Sequence, residues 1–446
     1  MRARVPIVLL SAALLLVGAA PATAASRYQG ERPFDTKSSG TEPQARSSAI
    51  SLRTLRGRLA SSMRSAGRYS GAYVYDLDSK RGLYSKRGTR TRILASNTKL
   101  FTTAASLERL GARMPITTSV RASGTRQPVT GSATDWKLSG DLYLRGGGDP
   151  VFGWPTYHRR YAHGLLTDVR ELAAAIADSG LTEVSGALYA DDTIFDRLRG
   201  VPGSGYALSR WIGPVSGLSW NGGFVGNGQT SFLANPPLTA SRELASALRR
   251  RGVKVRDAAR LRVTPTSAAT VADIASPTLA ELAGETNRQS DNFVAEMLLK
   301  GLGAGTGGDG TTRSGARAAR SAAQAIGQSR ATLVDGSGLS RGNRAAPAHV
   351  VRLLRGMYAS DSWEPFRDSL ARPGRSGTLN KRMRGTLARN RCRAKTGTLN
   401  GASALSGYCK TGSGRHVAFS FLMNGANVYT ARRVQDQMAS AIAAYR

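Results

Sequence analysis

Cysteine and histidine are scarce in this chain of 446 residues: there are two cysteines, four histidines and no His-Glu-x-x-His. Two cysteines cannot build a Cys-rich zinc or iron–sulfur scaffold. His158, His163, His349 and His416 show no metal-ligand or triad spacing, which makes a zinc hydrolase a poor fit. Negative charge is also short, with 29 Asp and Glu against 63 Lys and Arg and a formal charge of +34. Only 10 of those cations are lysines, so arginine carries nearly all the charge, and a nucleic-acid or other polyanion partner has to be weighed. The rest, 41% hydrophobic with 51 Gly and 17 Pro, is globular composition. That excludes a disordered, collagen-like, coiled-coil or disulfide-dense small scaffold. Two or three domains are expected, because single cores stop growing near roughly 250–300 residues.

The N-terminus predicts the compartment. Met1 to Arg4 is basic, Val5 to Ala20 is apolar but for one Pro, one Ser and one Gly, and Ala22-Thr23-Ala24 offers small residues for a signal peptidase. The run of about 16 residues is shorter than the ~20 that span a bilayer. Residues 1–24 therefore read as a signal peptide, and 25–48, with almost no large apolar groups, as a flexible mature N-terminus. No later segment is long and apolar enough to cross a membrane, so the mature protein is expected outside the cytoplasmic membrane, secreted or in the cell envelope. Export removes Arg2 and Arg4, lowering +34 to +32, and removes nucleic acid as a partner. No basic run exceeds Arg249-Arg250-Arg251, so the dispersed charge predicts only loose, salt-sensitive binding to anionic cell-wall polymers.

Export also permits a disulfide. Asn400-Gly401 is a strong hairpin signal, and a hairpin centred on it sets Cys392 opposite Cys409. Opposed cross-strand residues bring Cβ atoms near disulfide reach, which favours a bridge over two buried thiols.

Periodicity places helices from Leu52, from near Ser96, at Val169–Ala177 and Glu243–Arg250, over Leu279–Leu302 and Pro347–Met357, and at the terminus over Thr430–Tyr445. Strands are predicted at Ser70–Tyr75 and Gly82–Tyr84, and later at Arg393–Thr398, Ser403–Tyr408 and His416–Met423.

Three short patterns carry chemistry. Ser96-Asn97-Thr98-Lys99 is the one Ser-x-x-Lys in the chain. On a helix it sets the lysine amine within reach of the serine hydroxyl, and a desolvated, neutral lysine can activate that serine. Ser290-Asp291-Asn292 would aim a hydroxyl and a carboxamide into a cleft, although these are also the preferred helix-capping residues. Ser219-Trp220-Asn221 matches the same loose pattern, but the 290 copy opens a clear helix. Lys395-Thr396-Gly397-Thr398 on a strand edge offers an ammonium and hydroxyls to a carboxylate, and its backbone N–H to an oxyanion. A second Lys-Thr-Gly, at 410–412, falls where the last two strands must turn, so Lys410 reads as a solvated turn residue. Gly303, Gly305 and Gly308 match a dinucleotide fingerprint but follow a helix, and read as a loop. Tyr206, Trp211 and Trp220 suit core packing better than a ligand-facing surface.

Taken in this order, the three patterns resemble those of the D-alanyl-D-alanine carboxypeptidase/endopeptidase family, low-molecular-mass penicillin-binding proteins with a large inserted domain. Leu142 to Pro150, Asp335-Gly336-Ser337-Gly338-Leu339-Ser340-Arg341 and Gly377-Thr378-Leu379 match further family segments, and the 335–341 segment is expected beside the cleft. The resemblance runs from about residue 50 to the end. It implies an α+β fold: a penicillin-binding-protein/β-lactamase-like transpeptidase domain, an antiparallel sheet flanked by helices, over 49–114 plus 278–446, with a large mixed α/β insertion over 115–277.

By the same resemblance, Ser96 attacks the penultimate D-Ala carbonyl with Lys99 as base, and Ser290 relays the proton to the departing amine. Asn292 holds the acyl-side amide, and Lys395, Thr396 and Thr398 receive the terminal carboxylate. The N–H groups of Ser96 and Thr398 form the oxyanion hole. Substrates are peptidoglycan stem peptides ending in D-Ala-D-Ala, β-lactams are covalent inhibitors, and no metal or organic cofactor is needed. Endopeptidase cleavage of crosslinks would use the same groups and stays open. The Glu-x-x-Leu-Asn of efficient β-lactamases is absent. A catalytically silent wall-binding protein of the same fold is the alternative.

Overall fold

The computed structural model describes residues 49–201, 203–226, 228–256 and 260–446. The expected signal peptide and flexible segment, 1–24 and 25–48, lie outside the described residues. Helix α1 (Leu52–Arg64) buries Leu55, Leu59 and Met63 at helical spacing, and Ser51 caps it by accepting from the Thr54 amide. Strands β1 (Gly71–Asp76) and β2 (Arg81–Lys86) form an antiparallel pair. A single 3-10 turn, Ala95–Asn97, then leads into α2 (Thr98–Leu110), which is buried on every side from Thr98 to Leu107.

A second sheet follows, built by β3 (Pro115–Pro128), β4 (Trp136–Arg145), β5 (Leu181–Val184), β6 (Leu188–Asp191) and β7 (Ala269–Thr278). Its order is β7-β3-β4-β5, and β6 also pairs with β4. β3 is antiparallel to both neighbours, whereas β5 and β6 run parallel to β4. Helices α3 (Val169–Asp178) and α4 (Pro236–Arg250) pack with it around Leu142, Leu144, Leu172, Ile176, Leu244 and Leu248. α4 starts seven residues before the periodic stretch that suggested it: Asn235 caps it, and Pro236 takes a first-turn place that needs no N–H donor.

The uninterrupted helix expected over Leu279–Leu302 is broken. After α5 (Leu279–Gly284) the chain makes a π turn through Glu285–Gln289, Ser290 adopts a left-handed φ of 67°, and α6 (Asn292–Gly305) starts afresh with Asp291 as its cap. Ser, Asp and Asn bond their local backbone in non-helical conformations, so three in a row favour a break. Helix α7 (Thr312–Gly327) escaped the periodicity reading because its buried face is Ala316, Ala319, Ala322 and Ala323 rather than large apolar residues. α8 (Pro347–Tyr358) follows, then β8 (Cys392–Leu399), β9 (Ala402–Lys410), β10 (His416–Asn424) and α9 (Val428–Ala444).

These last strands join the first in one antiparallel sheet of order β8-β9-β10-β1-β2. Its two faces follow the period of two along β10. Val417, Phe419 and Phe421 enter a core with α1 and α9, whereas Ala418 and Leu422 enter one with α2, α6, α7 and α8. At the β8–β9 hairpin Leu399 faces Ala402 across Asn400-Gly401, and Gly401 has the left-handed φ of 68° that such a turn needs. Cys392 and Cys409 face each other in the same register and are disulfide-bonded. Among the described residues no helix is long and apolar enough to cross a membrane.

Candidate active site

The 3-10 turn before α2, the break before α6, strand β8 and the 335–343 loop converge on one place. Ser96 sits half-buried in that turn, directly after Ala95, whose φ of 46° is left-handed for a residue with a Cβ. Such backbone strain persists only where the surroundings enforce it. One source is visible. At Gly338 a Cβ would fall 2.0 Å from the Ala95 carbonyl oxygen and 2.9 Å from Ser96 N, so the 335–343 loop presses on the Ser96 backbone. On the other side, a Cβ at Gly397 would lie 3.0 Å from Leu94 O and from Ser96 N. β8 is thereby held against the same turn, and the Asn97 side-chain Nδ2 donates to the Lys395 carbonyl at 3.1 Å.

Lys99 is fully buried in the first turn of α2. Its Nζ lies 3.3 Å from Ser96 Oγ, 2.7 Å from Asn292 Oδ1 and 2.6 Å from the Ser337 carbonyl oxygen. The last two partners can only accept. A neutral amine has two hydrogens and one lone pair. If the hydrogens go to Asn292 and Ser337, the lone pair is left facing the Ser96 hydroxyl, which is the geometry of a base beside a nucleophile. Asn292 Nδ2 donates to the Trp211 carbonyl at 3.1 Å, so only one orientation of the carboxamide satisfies both ends.

Lys395 is also fully buried, and donates to Ser290 Oγ at 2.8 Å and to the Thr396 carbonyl at 2.9 Å. Ser290 thus meets Lys395, while Lys99 is met by Ser96 and Asn292: the two motifs interleave. Thr396 Oγ1 donates to Thr378 Oγ1 at 2.8 Å, and exposed Thr398 accepts from Arg432 Nη2 at 3.1 Å.

Burial pushes the Lys99 ammonium down to about 8, against the opposing pull of Asp335, Asp291 and Glu296. Burial, and then the Lys99 charge, drive Lys395 well below the ordinary lysine range. Desolvation raises the carboxyls of Asp291 and Asp335, and raises Glu296 to about 7. Burial therefore lowers the lysines and raises the carboxyls, drawing the two kinds of group towards one range of pH.

The competing patterns lie in structural roles. Ser219 Oγ donates to the Asp149 carbonyl at 2.5 Å, and Asn221 Oδ1 accepts from the Trp154 amide at 3.0 Å. Lys410 is exposed at the end of β9, and Gly412 N donates to the Tyr445 carbonyl in the turn towards β10. Gly303 and Gly305 close α6. His163 pairs with Glu285, His416 with Asp78, and His158 is buried. Among the described residues no group of three or more His, Cys, Asp or Glu is placed to hold a metal. Tyr206 and Trp220 are core residues; Trp211 is 62% exposed and borders the site through its carbonyl.

Sequence spacing gave no role to Glu296, Asn97, Arg432, Thr378 or the Ser337 carbonyl. A backbone oxygen leaves no sequence signal, and the contacts of Asn97, Glu296, Arg432 and Ser337 join residues far apart along the chain.

Residues 55–225 and 224–445 match the family model for D-Ala-D-Ala carboxypeptidase 3 (S13). The chain is 33% identical to a D-alanyl-D-alanine carboxypeptidase of Actinomadura sp. (strain R39), over 85% of this chain and 82% of that one. In fold it is similar to penicillin binding protein 4 from Haemophilus influenzae, with a TM-score of 0.67 at 19% identity, covering 85% of this chain and 97% of that one. The same protein complexed with a β-lactam gives a TM-score of 0.63, with the same identity and coverage. The protein therefore has the penicillin-binding-protein α+β fold and belongs to the D-Ala-D-Ala carboxypeptidase 3 (S13) family of serine-type peptidases.

Proposed function

We propose that the protein is an exported D-Ala-D-Ala carboxypeptidase that trims peptidoglycan stem peptides through an acyl-enzyme on Ser96 and is acylated by penicillin. The observation that carries this reading is the buried Lys99 amine 3.3 Å from Ser96 Oγ, with both its other partners obligate acceptors. Neutral Lys99 takes the hydroxyl proton as Ser96 Oγ bonds to the penultimate D-Ala carbonyl carbon. The N–H groups of Ser96 and Thr398 hold the oxyanion. The bond to the terminal D-Ala nitrogen then breaks.

Ser290 gives its proton to that departing amine and is replenished from the Lys99–Lys395 pair. The contact in which Lys395 donates to Ser290 Oγ leaves the serine hydrogen free to point at substrate. Asn292 offers its second Nδ2 hydrogen to the acyl-side amide. Lys395, Thr396 and Thr398 form the edge for the terminal carboxylate. Water hydrolyses the ester and returns Ser96. We place residues 49–114 and 278–446 in the catalytic domain and 115–277 in an insertion, which contributes the Trp211 carbonyl. The apolar run after Arg4 supports export, and the excess of arginine supports loose attachment to anionic wall polymers.

Fluorescent penicillin and a D-Ala-D-Ala peptide test this together. Wild-type protein should take up one label and release free D-Ala. Labelling that persists in Ser96→Ala would refute the nucleophile, and failure to release D-Ala would favour a silent wall-binding protein. Mass spectrometry of crosslinked and uncrosslinked muropeptides after incubation separates endopeptidase from carboxypeptidase action.

A further inference from the structure

We infer that Glu296 is a positioning residue for the Ser96–Lys99 pair, acting through the 335–343 loop; this rests on the function proposed above. Glu296 lies one turn after Asn292 on α6 and is fully buried. Its Oε1 accepts from Gly336 N at 3.0 Å and Ser337 N at 2.8 Å, and its Oε2 lies 3.0 Å from Gly336 N. The carbonyls of those same two residues point the other way, onto α2. Gly336 O accepts from Thr102 Oγ1 at 2.9 Å, and Ser337 O accepts from Lys99 Nζ at 2.6 Å. The 336–337 peptide unit is thus stretched between a carboxylate on α6 and the reactive helix, and the carbonyl of the next unit is the one that meets Lys99.

The other end of the loop is held separately. Asp335 accepts from Gly338 N at 2.7 Å, Ser340 N at 2.6 Å and Asn343 Nδ2 at 2.7 Å. The Gly338 N–H shares a peptide plane with the Ser337 carbonyl, so Asp335 holds that plane. Glu296 holds the two planes before it, and with them the position from which Ser337 reaches Lys99. The consequence follows from the lone-pair argument. With the Ser337 carbonyl displaced, the second N–H of a neutral Lys99 loses its acceptor and the amine is free to rotate its lone pair away from Ser96. A charged acceptor suits this task, because hydrogen bonds to a buried carboxylate are shorter and stronger than neutral ones. Glu296 also faces Lys99 as a charge, together with Asp291 from the same helix, Asp335 from the loop and Lys395 from β8.

The test compares wild type, Glu296→Ala and Glu296→Gln in full-length protein, with penicillin acylation rates normalised to folded protein and peptide turnover measured from about pH 6 to 9. Glu296→Ala strands two buried amides and loosens the backbone that leads into Ser337. Acylation and kcat should fall about 10²-fold, the scale of a 1 Å misplacement, while KM changes less than about threefold. Glu296→Gln retains one oxygen for both amides. Its rate should return to within about tenfold of wild type, with the acid limb of the profile moved to lower pH because a negative charge beside Lys99 is gone. Folded variants that acylate at the wild-type rate with an unmoved limb would overturn the inference, as would a loss confined to KM. Should Glu296→Ala fail to fold, the limb of Glu296→Gln decides. Wild-type protein that is unlabelled, or labelled away from Ser96, would instead refute the proposed function.

Discussion

Gly338 has no side chain to offer a substrate, yet its replacement should be among the most damaging substitutions in the molecule. Its φ is 88°, and a Cβ added there would sit 2.0 Å from Ala95 O, 2.4 Å from Ala95 C and 2.9 Å from Ser96 N. The left-handed conformation alone costs an alanine roughly 1–2 kcal/mol. The clash adds to this, because the atoms met are backbone and ordinary contact begins near 3.4 Å, so two chains must part by more than about an ångström. The chain that moves carries Ser96. A shift of that size lowers a positioned reaction by about 10²-fold.

Gly67 provides the control: its φ is 81° but nothing lies within 4 Å of the added Cβ. Gly67→Ala should cost only the conformational 1–2 kcal/mol and leave catalysis alone. The measurements are thermal unfolding and the second-order rate of acylation by fluorescent penicillin, normalised to folded protein. We expect Gly338→Ala to be less stable than Gly67→Ala and at least about 10²-fold slower to acylate. A folded Gly338→Ala that acylates as fast as Gly67→Ala would refute the claim that this loop sets the Ser96 backbone.

Three further outcomes are expected. Lys99 must be neutral to act, and with its amine pushed down to about 8 the acylation rate should climb as pH rises through that value; a rate constant across about pH 6 to 9 would contradict a lysine base. Arg432 donates to Thr398 at the edge proposed to receive the carboxylate, so Arg432→Ala should raise KM by about three- to fivefold for a peptide with a free C-terminus. The same peptide as its carboxamide should show no change, and equal effects on both would remove Arg432 from carboxylate recognition. Reducing the Cys392–Cys409 bond, which spans 17 residues, should cost up to about 3 kcal/mol by chain entropy. Calorimetry with and without reductant reads that loss. Acylation should persist in the reduced protein, because the hairpin register continues through Lys395 and Gly397 independently of the sulfurs.

Much of the framework was legible in the amino-acid sequence because it is encoded locally. The alternation along β10, the helical spacing of Leu55, Leu59 and Met63, and the Asn400-Gly401 turn each express a preference of neighbouring residues. So does the opposition of Cys392 and Cys409, since one turn determines a whole hairpin register. Ser96, Lys99, Ser290, Asn292, Lys395, Thr396 and Thr398 could be nominated as candidates from three short patterns. Local reading failed where residues speak weakly or against a pattern: the alanine-faced helix α7, the early start of α4, and the break at Ser290 within an apolar run.

Tertiary structure decided which nominated groups touch. It paired Ser290 with Lys395 and gave Lys99 to Ser96, Asn292 and the Ser337 carbonyl. It bent Ala95 into a strained conformation by pressing Gly338 and Gly397 onto it, and brought Glu296 beneath the loop that aims the lysine. Sequence by itself determined the elements and the chemical types available to them. The direction of one lone pair depends instead on two carbonyl oxygens belonging to residues 193 and 238 positions away along the chain, and no local preference reaches that far.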